Sequence, residues 1–220
     1  MSTYTPTPRT QVKRLKKRAA YDHDTVHAIL DDGFMCHVGF VHDGQPFVIP
    51  TLYVRDGDRL YMHGASAARV LQHAAGGIAI CVTVTHVDGL VLARSAFHHS
   101  ANYRSVVVLG RATLATDPAE RLRALQLITN HVAPGRWEEV RAPNELELRQ
   151  TSVMVVPLAE ASAKVRTGGP IDDEEDYALP VWAGVLPLRT ELGSFVPDTR
   201  LHDSARTPDP GRFRFPRRSR

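Results

Sequence analysis

A chain of 220 residues, 43% apolar and 23% charged, can bury one sizeable core or two small ones. That balance excludes a disordered chain or a collagen-like one, and two cysteines exclude a disulfide scaffold. The pI near 9.0 overstates the basicity. Residues 1–18 hold six basic and no acidic residues, and residues 198–220 hold seven arginines against Asp198, Asp203 and Asp209, while 19–197 is net −7.

The two basic ends, 1–18 and 198–220, read as flexible, solvated segments around one folded domain over 19–197. Basic tails can also meet nucleic acid, but no recognition motif accompanies these, so no nucleic-acid partner is expected. No apolar run is long enough to span a bilayer, and MSTYTPTPRTQVKRLKKR lacks the apolar centre of a signal peptide. Cys36 and Cys81 lie in apolar, strand-like settings and read as reduced, buried thiols of a cytoplasmic protein.

In chain order, Asp24 caps a predicted helix over Thr25–Asp32 that Gly33 ends. Phe34–Val41 reads as a strand, and His42-Asp43-Gly44-Gln45 as a turn. Phe47–Arg55 and Arg59–His63 form a hairpin about Asp56-Gly57-Asp58. The small residues Gly64 to Ala68 then open a predicted helix, Ser66–Ala74, stopped by Gly76-Gly77. Ile78–His86 (IAICVTVTH) is a strongly β-branched strand, with a turn at Asp88-Gly89 into Leu90–Ala93. Tyr103–Ala115 is a long strand. Asp117-Pro118 starts a helix whose Leu122, Leu125, Ile128 and Val132 share one face. Leu146–Gln150 reads as a short helical connector, and Thr151–Leu158 and Ala163–Thr167 as late strands. Ala178–Leu188 is apolar, broken by Pro180 and Pro187, and reads as irregular. Six or seven hairpin-linked strands with few helices predict a mainly β fold, an antiparallel barrel with peripheral helices.

The loop after the hairpin has chemistry of its own. Small residues let a ligand approach the backbone, and free N–H groups at a helix start, the Ser66 hydroxyl and Arg69 suit a phosphate. An ordinary hairpin and helix accounts for the same spacing. Arg94, Asn102, Tyr103 and Arg104 form a second polar patch, either a ligand contact or a solvated loop. Trp182 is either a core residue or a stacking platform for a flat ring. His23 and His27 share a helix face, but no third ligand at matched spacing accompanies them, so no metal site is predicted. The nucleophile elbow, the phosphate-binding P-loop and the Rossmann glycine pattern are all absent.

Four stretches, GFMCHVGFVHDGQPFVIPTLY, DRLYMHGASAARVL, FHHSANYRSVVVLGRA and GGPIDDEEDYALPVWAGVLPL, occur in the order of a known family. In them the chain resembles the pyridoxamine 5′-phosphate oxidase-related, FMN-binding split β-barrels, in the branch of the nitroimidazole-resistance (Nim-type) proteins. The resemblance covers about residues 12–192. It implies a homodimer with two FMN sites at the interface and an oxidoreductase acting on a small molecule. Ile49, Pro50, Thr51, Leu52 and Tyr53 would edge the flavin ring, and Met62, His63 and Gly64 would lie by the ring or ribityl chain. Ser66 and Arg69 would hold the phosphate, with Ala68 where the family often has a second basic residue. Arg104 and Ser105 would contact the flavin from the other side, and Trp182 would make a late contact, across the subunit interface. His63 would donate a proton or orient substrate. The C-terminal arginine–histidine motif of the true vitamin-B6 enzymes is missing, and RFRFPRRSR does not replace it. Two alternatives remain open: a split barrel that holds haem or flavin without turnover, and a reductase using the deazaflavin F420.

Overall fold

Alternation along the strands decides which face of the sheet is covered. In β2 (Met35–His42) the side chains of Cys36, Val38 and Phe40 are buried and those between them are not. The computed structural model describes residues 2–66, 70, 74 and 76–213. A two-residue loop, Asp43-Gly44, joins β2 to β3 (Gln45–Asp56), and both residues have positive φ (49° and 75°), as a type I′ hairpin turn requires. A second tight turn leads into β4 (Arg59–Ala65).

The pairing then closes on itself. Two long strands follow, β5 (Ile78–Leu92) and β6 (Ser100–Leu114), and later β7 (Thr151–Pro157) and β8 (Glu160–Arg166). Neighbours run β6, β7, β4, β3, β2, β5 and back to β6, every pair antiparallel. Each of the six is thus paired on both sides over part of its length. The ring parts where β6 turns from β7, at Thr113–Leu114, to β8, at Tyr103–Leu109. This is a split β-barrel, as the sequence predicts. A short β1 (Ala19–Ala20) extends β8, and β9 (Gly184–Pro187) extends β5.

The interior is filled from all six strands, with Val38, Leu60, Met62, Val82, Val106, Val108, Met154 and Val156 at its centre. Helix α1 (His23–Asp32) adds Val26, Ile29 and Leu30 to this core. Helix α2 (Pro118–Val132) covers a second cluster, placing Ala124 and Ile128 on Val54, Tyr61, Val153 and Val155. Helix α3 (Glu145–Gln150) starts with a full capping box between Asn144 and Glu147.

Four expectations change. The cap of α1 is Asp22, whose carboxylate accepts the Thr25 N–H at 2.8 Å, and Asp24 sits in the first turn. Asp88-Gly89 is no turn but a bulge inside one continuous β5, because β6 pairs with the strand on both sides of it. The segment Ala178–Leu188 contributes β9, which seals that bulge from its other edge. The basic N-terminal segment is seated on the barrel: Tyr4 and Thr10 are buried, and Thr7 donates its hydroxyl to Glu160 at 2.9 Å. The predicted helix Ser66–Ala74 falls largely outside the described residues; within it Val70 and Ala74 are helical and buried.

Candidate functional site

The middle of β3 and the end of β4 border a small cavity of about 180 Å³. Ile49, Pro50 and Thr51 line it from the hairpin, Met62, His63 and Gly64 from the next strand. Val38, Val70 and Met154 complete the wall. The Thr51 hydroxyl reaches the His63 carbonyl at 3.5 Å, and Met62 and Gly64 are fixed by pairing to Met154 and Ser152. Apart from His63 and Thr51 the lining is apolar or backbone.

Within that wall His63 stands out. Its Nδ1 is buried with no hydrogen-bond partner among the described residues. Burial holds its pKa below the usual histidine value, so the ring is neutral near pH 7. A buried polar group without a partner costs about 1–3 kcal/mol, a cost a ligand relieves by supplying one. The buried thiol of Cys36 lies on the inner side, its Sγ 3.7 Å from the Met62 sulfur. Desolvation raises its pKa to about 12, so it is inert packing and not a nucleophile.

Six predicted site residues therefore meet at one place, and others do not. Leu52 packs beside the α2 cluster, and Tyr53 is fully buried in the barrel with its hydroxyl bonded to the Leu30 carbonyl. Five consecutive strand residues cannot all face one ligand, because neighbours point to opposite faces. Ser66 lies just beyond β4 and is already engaged: it donates to the Arg149 carbonyl at 3.3 Å and accepts from Ser152 at 2.9 Å. Arg69, and Ala68 beside it, lie outside the described residues. The predicted strand also left out Val38, Val70 and Met154, whose only sequence signal is their apolar alternation.

Arg104 lies elsewhere, between α1 and the β5 bulge. It donates to Asp32 at 2.6 Å and to both Asp88 oxygens at 2.9 and 3.0 Å. Burial lowers its pKa, but the bonds to Asp88 and Asp32 outweigh that and leave it raised. It borders a wider cleft of about 650 Å³ with His86, Asp88 and Leu188 to Glu191. Ser105, next to it, turns its hydroxyl to the Lys164 carbonyl at 3.4 Å. Trp182 is 68% exposed and lines neither cavity.

Comparison with known proteins places this geometry. A family model described as pyridoxamine 5′-phosphate oxidase matches residues 22–165. The chain belongs to that family. It is similar over nearly its whole length to the flavocytochrome Anf3 from Azotobacter vinelandii, with 45% identity, 95% of this chain and 98% of that one covered, and a TM-score of 0.90. It is also similar to the FAD and heme binding protein from Mycobacterium smegmatis, with 32% identity, 89% and 96% covered, and a TM-score of 0.83. A protein described as a 5-nitroimidazole antibiotic resistance protein from Bacteroides thetaiotaomicron shares the fold at 22% identity, 67% and 86% covered, with a TM-score of 0.56. No curated protein matches the chain.

Proposed function

We propose that the protein is a flavin-dependent oxidoreductase acting on a small molecule, with the flavin ring edge at the His63 cavity. The observation that carries this is the unpartnered, buried Nδ1 of a neutral histidine in an otherwise apolar wall. Such a wall suits a flat heteroaromatic ring that can hydrogen-bond at its edge. The flavin, when bound, supplies the hydride or electron chemistry. His63 supplies a fixed, neutral donor–acceptor at Nδ1, able to hold or move one proton near neutral pH. Ile49, Met62 and Val38 keep water away from it. Ser66, with its proton committed to the Arg149 carbonyl, offers a phosphate little unless it re-aims its hydroxyl, which leaves that grip to Arg69.

A cavity of about 180 Å³ is smaller than the roughly 300–1,000 Å³ of a typical cofactor site. One chain therefore receives only an edge, which supports a homodimer in which a second copy covers the rest. The outward Met35, Val41 and Val48, 49–67% exposed on the same hairpin, offer an apolar surface for it.

Absorbance of the purified full-length protein, with mass spectrometry of the released cofactor, tests the reading. Bound FMN or FAD is expected, and added F420 should fail to displace it. A colourless protein that quenches neither flavin in titration would sink the proposal. The similarity to a flavocytochrome over 95% of this chain favours a second reading, haem held beside the flavin. A Soret band in the same spectrum supports it, and its absence after haem addition removes it.

A further inference from the structure

We propose that His23, His27 and Asp58 bind one divalent transition-metal ion of the zinc class, at a site sharing no residue with the flavin cavity. The two histidines lie one turn apart on the same face of α1, and Asp58 is brought to them by the turn between β3 and β4. One ligand atom from each lies within 4.8 Å of the others, and His27 Nε2 is 3.9 Å from the Asp58 carboxylate. Two imidazoles and a carboxylate are a zinc donor set that leaves a fourth position for water.

The surroundings fit an ion. Buried Tyr4 stacks on His23 with ring centres 4.1 Å apart and holds its hydroxyl 2.9 Å from His27 Nε2. With the ion on that nitrogen, the phenol hydroxyl is free to turn to the metal-bound water. Arg55 is paired with Asp31, which accepts from its Nε at 2.7 Å. Tetrahedral ligands stand about 3.4 Å apart, so the triad must close a little. Asp58 is 74% exposed on a turn and can make that movement.

The experiment is calorimetric titration of zinc chloride into chelator-treated, full-length protein. One ion per chain is expected, and Asp58→Asn and His23→Gln should each weaken it by at least about tenfold. Asp58→Asn alters an exposed side chain, so a folding defect does not confuse the result. Zinc binding equal to wild type in both variants, or no binding by the wild-type chain, overturns the site. The flavin spectrum of both variants should match wild type, which keeps this test separate from that of the cavity.

Discussion

The two polar centres of this barrel stand in opposite states. Each of the three guanidinium nitrogens of Arg104 donates to Asp32 or Asp88, and Asp32 is buried with only 4% exposed. His63 has a buried nitrogen that no described residue answers. A charge that a fold pairs on both sides is holding elements together, here α1, the β5 bulge and β6. A neutral ring left one bond short is available to something that is not part of the chain. The comparison separates a fastening from a site more sharply than residue type does, since both residues resemble family cofactor contacts in the sequence.

The sharpest way to break it is Arg104→Ala. Removing one member of a buried ion pair leaves Asp32 facing a weaker field, and such losses cost about 3–5 kcal/mol. Urea unfolding should show that loss whether or not flavin is present. His63→Leu should do the reverse. It removes an unpaired nitrogen and keeps apolar volume, so stability of the cofactor-free protein should change by less than about 1 kcal/mol. Flavin affinity, measured by fluorescence quenching, should fall by about tenfold, the worth of one hydrogen bond made in a dry pocket. A destabilised His63→Leu with unchanged flavin affinity would reverse the two assignments.

What the sequence reveals and what it hides follow from distance along the chain. The dipeptide Asp-Gly occurs in both the β2–β3 turn and the β5 bulge. At Asp43-Gly44 neighbouring strands are its own flanks, so local pattern suffices. At Asp88-Gly89 the outcome rests on β6 and β9, and the latter pairs from about a hundred residues away. The same applies to side chains. The hairpin brings Ile49, Pro50, Thr51, Met62, His63 and Gly64 together through adjacent strands, and the sequence names all six. Met154 arrives on β7 and Asp58 meets His23 only through the packing of α1 on the hairpin, which no spacing states. Tyr53 shows the converse error. It follows the cavity residues in sequence, but a hydroxyl satisfied by the Leu30 carbonyl lets so large a ring sink into the core.

The smallest expected effect concerns pH. Burial lowers the pKa of His63, and burial with Arg55 and His23 lowers that of His27. In the folded state each binds fewer protons than in the unfolded chain, where the value is about 6.5. Stability is therefore full above that value and declines as pH falls through it toward the folded pKa, then levels off. The carboxylates of Asp22 and Glu147, held low by hydrogen bonds from Thr25 and from Arg141, stay ionised through this window. A fall in the urea midpoint as pH drops through about 6.5 thus reports the two histidines. His63→Leu and His27→Gln should each flatten part of it, and flavin should deepen the His63 share in the wild-type protein, because stabilising the neutral ring lowers its folded pKa further. A slope that flavin leaves unchanged while His63→Leu removes it would place the cofactor away from His63 and dissolve the contrast with Arg104.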